Sequence, residues 1–375
     1  MPSTTGTNAL PLNVVVAGGS IGGLCAGVAL RAIGCDVTIY ERSPGPMADR
    51  GAGIVAQPDL YGLLQRCGAP PLSVTTAARR RYVRQDGHIL QDMSMPQQFT
   101  SWNAIYSSLR AVFPDQHYHL GQKIERATSA GSVRIQGVGE RQADLVILAD
   151  GFRSETREAF FPGLKPRYAG YIAWRGVIDE GDLSSDLKSY FDDAFSLCTV
   201  LSGGHILCYF IPGEDDAGAV PGQRRLNWVW YVMMTPDALQ KLLGGHNAPE
   251  QRYALSPGSV TADHKRTLRE KATLELPGAF AAMVQATPEP FVQVIVDLAV
   301  PQMLFGRACL IGDAAFVVRP HTAAGTSKAA ADASALADAL TSGDPLDEAL
   351  ASWEQRQLAM GQEIYQRGIA IGRRI

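Results

Sequence analysis

The turn Gly18-Gly19-Ser20-Ile21-Gly22-Gly23 limits what this chain can fold into more than any other feature. It lies between two β-branched runs, Leu12 to Ala17 and Asp36 to Tyr40, with an Ala/Leu-rich stretch to Ile33 between them. Strand, glycine turn, helix and second strand within about thirty residues make the βαβ unit that carries dinucleotides. Glycine is wanted at the first position for the tight turn and at the last for close helix packing, while the helix N-terminus offers N–H groups to a pyrophosphate. The middle glycine is replaced by Ser20, which must let the backbone approach while adding a hydroxyl. Glu41 ends the second strand about twenty residues on, where a carboxylate accepts a hydrogen bond from a ribose hydroxyl. Val14 to Leu30 carries no charge and approaches the length of a membrane span or signal core. Its glycines, and the lack of a basic residue before it, favour the nucleotide turn.

Two later segments have the same texture. Asp144 to Ala149 and Ala308 to Ile311 are short apolar runs, each ending in an acid beside a glycine, Asp150-Gly151 and Gly312-Asp313. Both read as buried parallel strands, outside whose carboxyl ends ligands are commonly met. Between them, from Tyr168 to about Ile295, aromatic residues alternate in runs such as Gly204 to Ile211 and Leu226 to Val232, the pattern of an antiparallel sheet. After Gly325, alanines dominate through Leu340, and Leu346 to Ile369 is again helical in texture. The expected fold is α/β, with a nucleotide domain in three pieces (1–72, 99–167 and 296–340). A mostly antiparallel sheet domain (73–98 and 168–295) is inserted between them, and a helical segment (341–375) ends the chain.

Composition narrows the partners. With 375 residues, 46% hydrophobic and 19% charged, the chain buries a large core, and its net charge of −3 is spread rather than clustered. The Arg79-Arg80-Arg81 run reads as a solvated face, so neither nucleic acid nor membrane is an expected partner. Six cysteines form no CxxC pair, and the histidines His88, His117, His119, His246 and His264 show no metal-ligand spacing. The expectation is a reducing cytoplasm, with no disulfide and no metal. A homodimer is left open.

These turns, taken in order with Gly51-Ala52-Gly53-Ile54, Tyr40-Glu41-Arg42-Ser43-Pro44, Ala169-Gly170-Tyr171-Ile172-Ala173-Trp174-Arg175-Gly176 and Arg319-Pro320-His321, resemble the single-component FAD-dependent aromatic hydroxylases. The resemblance covers nearly the whole chain. It implies an FAD-binding Rossmann-like domain of the glutathione-reductase type, FAD as cofactor, NADH or NADPH as cosubstrate, and O2. It also implies that a small aromatic or N-heteroaromatic ring, above all a hydroxylated pyridine of the 2,6-dihydroxypyridine kind, is hydroxylated through a flavin C4a-hydroperoxide. Salicylate-, 6-hydroxynicotinate- or urate-type hydroxylation on the same scaffold, a flavin oxidase without hydroxylation, and a non-enzymatic binding module are the competing readings.

Carried over residue by residue, the resemblance places Gly18, Gly19, Ser20, Ile21, Glu41, Arg42, Gly53, Asp150 and Asp313 at the cofactor. Asp313 matches the acid that binds the ribityl chain, and Asp150 lies in a segment that meets both FAD and the nicotinamide. Two departures stand out. Relatives follow the proline with a glycine-rich turn ending in Gly-x-Asn, whereas Pro320 leads here to Ala323-Ala324-Gly325-Thr326-Ser327. The N–H groups of Ala323, Ala324 and Gly325, opening a helix, then face the flavin's pyrimidine edge. Trp102 stands where many relatives carry an arginine. For catalysis, His321 matches a histidine after the proline, and period-two alternation puts His205, Leu207 and Tyr209 on one strand face, with two polar tips expected to converge there. Core packing is the other reading for His205 and Tyr209. Trp174, Trp228 and Trp230 either wall an aromatic pocket or fill the inter-domain core.

Overall fold

The computed structural model describes residues 11–45, 47, 53–214, 219–244 and 253–373, so Gly51, Ala52 and His246 lie outside the described residues. Five parallel strands, Ala308–Leu310, Leu145–Leu148, Asn13–Ala17, Asp36–Glu41 and Tyr118–Leu120, lie side by side in that order, and Leu304–Phe305 closes one edge antiparallel. The middle strands are buried almost throughout, as a parallel sheet covered on both faces requires. Helix Ile21–Ala32 packs across the sheet against helix Gly325–Leu340, whose buried Ala329, Ala330, Ala333 and Ala337 let the two axes approach. On its other side Gly27 lets the helix lie close on the sheet, for a Cβ there would meet Ile39 and Phe113 at 2.8 Å.

The second sheet has ten strands, all paired antiparallel except Ala194–Thr199 with Thr75–Val83. Its centre runs Phe291–Ala299, Arg167–Asp179, Arg225–Met233 and His205–Ile211. Alternation divides it into two faces. Trp174, Trp228 and Trp230 point to the outer one, beneath helices Ala262–Glu275 and Gly278–Ala286, in a core with Leu268, Phe280 and Met283. Trp228 donates its indole N–H to Thr287 Oγ1 at 2.8 Å. The tryptophans therefore fill a core on the side away from the nucleotide sheet. The inner face carries Tyr171, Arg175, Asn227, Tyr231, His205 and Tyr209, and it meets residues of the nucleotide domain: Tyr171 touches His321, and Tyr209 lies under Gly53.

The last helix, Leu346–Gly372, runs a little past the Ile369 expected from sequence and lies along the segment that carries His321. Glycines make that possible. A Cβ at Gly361 would sit 2.5 Å from the Phe316 ring, and one at Gly372 would sit 2.3 Å from the Arg319 guanidinium. Trp353 anchors the helix by donating its indole N–H to the Asp332 carbonyl at 3.0 Å. No helix among the described residues is long and apolar enough to cross a membrane.

Removing a large aromatic side chain from a packed core costs about 3–5 kcal/mol. Trp230→Ala should lose that much in urea unfolding, while the folded fraction keeps wild-type affinity for the cofactor and substrate. Lost ligand affinity with unchanged stability would instead put Trp230 in the binding pocket.

Candidate functional site

The carboxyl ends of the parallel strands bring the glycine turn and the two acidic turns together at one edge. Gly18 has φ +98°, and a Cβ there would meet the Ala149 carbonyl oxygen at 2.5 Å, so both its conformation and its close approach require glycine. At Gly23 a Cβ would lie 1.8 Å from the Gly18 carbonyl oxygen, which explains the last glycine of the fingerprint as a packing need between turn and helix. Ser20 occupies the N-cap position of helix Ile21–Ala32, extended, and its hydroxyl makes no capping bond. The helix's first N–H groups are thus left to an external anion.

Glu41 is buried, and both oxygens are engaged: Oε2 accepts from Gly19 N–H at 2.8 Å and Oε1 from Ser43 N–H at 2.8 Å. Its carboxylate therefore holds the turn in shape, with further lone pairs left over for a ribose hydroxyl. Tyr118 donates to the Gly19 carbonyl at 2.6 Å from the other side. Ile21 is buried beneath the turn, and Arg42 is exposed beyond it.

Asp150 follows the Leu145–Leu148 strand and accepts the Thr156 hydroxyl at 3.1 Å, while burial pushes its carboxyl up. Asp313 reaches solvent, yet burial among surrounding protein also pushes its carboxyl up. A group that is both open and surrounded lies on the floor of a cleft. Arg157, buried, ties the two acidic turns together by donating to the Ala314 carbonyl at 3.0 Å and the Phe152 carbonyl at 2.9 Å.

Beneath Asp313, Gly312 N–H donates to Asp332 Oδ2 at 3.0 Å, and the same oxygen takes Lys328 Nζ at 2.6 Å in an ion pair almost free of solvent. Neither Lys328 nor Asp332 was legible as a site residue, because a Lys/Asp pair four apart on a helix ordinarily decorates a solvated face. Ala323 holds φ +53°, a left-handed conformation unusual for a side chain with a Cβ, and Gln57 donates to its carbonyl at 2.7 Å. Ala324 then caps helix Gly325–Leu340 with no side-chain bond to its first N–H groups. FAD fits this set of donors: an open helix N-terminus beside the fingerprint, a second one at Gly325, and carboxylates at Glu41 and Asp313 for hydroxyl groups.

Beside that cleft, the inner sheet face brings His205 and His321 together, with ring centroids 5.4 Å apart and Tyr231 at 4.9 and 4.3 Å from them. His321 Nε2 shares a hydrogen bond with Tyr171 Oη at 2.8 Å. Arg319, one turn back, is fixed by two 2.7 Å bonds to Asp297 and stands 3.5 Å from the same tyrosine oxygen. Burial, with His205 and the Arg319 guanidinium adding to it, drives the His321 imidazole down to about 3, and burial takes His205 down to about 4. Both are neutral at ordinary pH.

Tyr209 does not converge with them. The alternation is as expected, but Tyr209 lies four positions along the strand from His205, and its ring stacks on Phe99 at 4.0 Å and Phe195 at 5.7 Å. A Cβ at Gly53 would strike Tyr209 and Asn227. Gly53 N–H donates to Asn227 Oδ1 at 3.0 Å, so this glycine stands at the seam between the two domains. Trp102 opens helix Trp102–Val112 and stacks on Tyr106 at 5.0 Å. Tyr171 and Asp297 were missed: a Tyr in an aromatic strand and an acid in an apolar one carry no local signal of what they meet.

A protein-family model described as FAD binding domain-like matches residues 168–297. The chain is 36% identical to a 2,6-dihydroxypyridine 3-monooxygenase of Paenarthrobacter nicotinovorans, covering 93% of this chain and 87% of that protein. It is 24% identical to a 6-hydroxynicotinate 3-monooxygenase of Pseudomonas fluorescens, covering 87% and 82%. The solved structure of 2,6-dihydroxypyridine-3-hydroxylase from Arthrobacter nicotinovorans superposes with a TM-score of 0.89 at 33% identity, covering 97% of this chain and 93% of that one.

Two outcomes test this geometry. In the unfolded chain both imidazoles titrate near 6.5, so between there and about pH 4 it binds protons that the folded protein does not. Stability therefore rises with pH through that window and is lost as pH falls. The double variant His205→Asn/His321→Asn should lose less stability than wild type between pH 6.5 and 4 in urea melts; equal losses would contradict the burial argument. Separately, Asp313→Ala should weaken FAD binding at least ~10-fold, the worth of one hydrogen bond to a charged group. Asp313 is a cleaner probe than Glu41, whose removal would also release Gly19 and Ser43.

Proposed function

The chain belongs to the FAD-dependent aromatic-ring monooxygenases, and from that premise we propose that it hydroxylates a small hydroxylated pyridine of the 2,6-dihydroxypyridine kind, with NAD(P)H as reductant and O2 as oxygen donor. The observation that carries the reading is the pair of half-buried, neutral imidazoles, His205 and His321, walled by Tyr171 and Tyr231 next to the cofactor cleft. Likeness to the 2,6-dihydroxypyridine 3-monooxygenase over most of both chains supports the choice of ring.

When bound, FAD supplies the redox chemistry, hydride uptake from NAD(P)H and activation of O2. The protein's part is to hold it and to prepare the ring. The fingerprint turn and the helix N-terminus at Ser20 take the pyrophosphate, Glu41 a ribose hydroxyl, and Asp313 the ribityl chain. The N–H groups of Ala323 and Ala324 are already taken, by the Pro320 carbonyl and the Thr322 hydroxyl, so it is the first N–H groups of helix Gly325–Leu340 that would favour negative charge on the flavin's pyrimidine edge.

A pyridine nitrogen drains electrons from its ring, so a ring hydroxyl must give them back, and it does so best without its proton. His321 is the group to receive that proton. Its Nε2 is engaged by Tyr171, which leaves Nδ1 for the ring hydroxyl, and the base role needs the tautomer whose Nε2–H donates to Tyr171 Oη. Burial keeps His321 unprotonated in the free enzyme, and an anionic ring beside it raises its pKa again by opposite-charge attraction. The Arg319–Asp297 pair and the closing helix hold the loop so that this geometry persists. His205 is the second acceptor on the same wall.

General-base assistance contributes about 10²–10⁴-fold, so His321→Asn should slow ring hydroxylation at least ~100-fold while flavin content stays normal. Reducing equivalents should appear as peroxide instead of product. Wild-type hydroxylation rates in His321→Asn would remove the base role, and loss of flavin would reduce His321 to a support for its turn.

A further inference from the structure

The inner sheet face carries two cations, Arg80 and Arg175, that no carboxylate among the described residues answers, and Arg175 is the one on the strand that bears Tyr171. Arg175 lies at the middle of the Arg167–Asp179 strand, opposite Val229 on one side and Phe291 on the other. Its one hydrogen bond among the described residues is from Nη1 to the neutral amide oxygen Gln293 Oε1, at 3.0 Å. Nε is buried without a partner, and no carboxylate among the described residues lies within 4.0 Å of the guanidinium. Arg80 is held the same way, by Gln97 Oε1 at 3.0 Å and over the Phe195 ring, but on a strand beyond Tyr209; the remaining shielded arginines are treated differently. Arg319 is paired twice with Asp297, Arg224 with Glu180 and Asp192, and Arg157 lies on two backbone carbonyls. A half-buried guanidinium held only by a neutral amide and by the Phe291 ring, 5.7 Å away, is completed best by an anion.

We propose that Arg175 is the specificity-determining residue of the ring site, and that it selects the substrate as an anion by pairing with a ring oxyanion. The inference rests on the hydroxylase reading and adds to it the charge state in which the ring is taken. Arg175 faces inward from the same side of the strand as Tyr171. The wall then has a division of labour. A neutral imidazole at one end receives the hydroxyl proton, and a fixed cation in the middle holds the charge left behind. Arg175 makes the deprotonated ring the favoured form in the complex, so that electron density is high before oxygen is delivered. The same cation disfavours neutral rings of equal shape, which would leave the guanidinium unanswered.

The test is ligand binding to the FAD-loaded protein, followed by the change in flavin absorbance, with 2,6-dihydroxypyridine and with its uncharged analogue 2,6-dimethoxypyridine. Wild type should bind the dihydroxy ring more tightly as pH rises through that ligand's own titration, and the dimethoxy ring weakly at every pH. Arg175→Gln should weaken the dihydroxy ring by about 10- to 100-fold and erase the pH preference, the scale of a lost charge-assisted hydrogen bond. Arg175→Lys should recover part of the loss, and flavin content should not change. Unchanged affinity in Arg175→Gln, an equal loss for both ligands, or a shift in flavin potential with ring affinity intact would each overturn the inference. So would a wild-type protein with no preference for the anion. Arg175-dependent anion binding in a protein that consumes NAD(P)H without hydroxylating would instead defeat the hydroxylase reading and leave this one standing.

Discussion

Parallel strands that end at a common edge are the constraint on which the rest depends. Asn13–Ala17, Leu145–Leu148 and Ala308–Leu310 are far apart in the chain, yet their register as neighbours puts Gly18, Asp150 and Gly312-Asp313 side by side. The contacts are close enough to be exclusive, since Gly18 has backbone of Ala149 and Asp150 where a Cβ would go. From that edge the other features follow. Helix N-termini open toward the cleft, the carboxylates of Glu41 and Asp313 border it, and the second sheet lays its inner face against it through Gly53 and His321. A doubly wound sheet places ligands at such a switch point whatever the chemistry, so the fold accounts for the cofactor and not for the ring.

The nucleotide half was legible because its signals are local. A glycine that must hold φ +98° or touch a carbonyl admits no substitute, and Gly18 and Gly23 announce the turn by themselves. The three short apolar strands and the alternating aromatic strands were legible for the same reason, since periodicity is written along the chain. The ring site was only partly so. Alternation put His205 on the inner face but could not say that Tyr209 would end in a stack with Phe99 and Phe195, because Phe99 arrives from a strand more than a hundred residues earlier. Tyr171, Arg175, Asp297 and the Lys328–Asp332 pair have roles set wholly by partners distant in sequence or by burial. No pattern of residue types distinguishes them from ordinary sheet and helix positions.

Electrostatics gives the site its working character. The protein spends paired charges on structure: Arg319 with Asp297 behind the His321 loop, and Lys328 with Asp332 beneath Gly312. On the inner sheet face it leaves two neutral imidazoles, and the guanidinium of Arg175 without a carboxylate among the described residues. Buried ion pairs hold geometry at some cost in desolvation, and here they hold the loops that bear Asp313 and His321. The helix Leu346–Gly372 completes this frame, meeting Arg319 and Tyr171 only because Gly372 has no side chain.

Oxygen insertion into a hydroxypyridine ring is read directly by isotope labelling. The FAD-loaded protein turns over 2,6-dihydroxypyridine with NAD(P)H under ¹⁸O2, and the product is weighed by mass spectrometry while peroxide is measured alongside. The account predicts one labelled oxygen in each product molecule for each NAD(P)H consumed, with little peroxide. Peroxide equal to the NAD(P)H consumed, and a ring recovered without label, would contradict it.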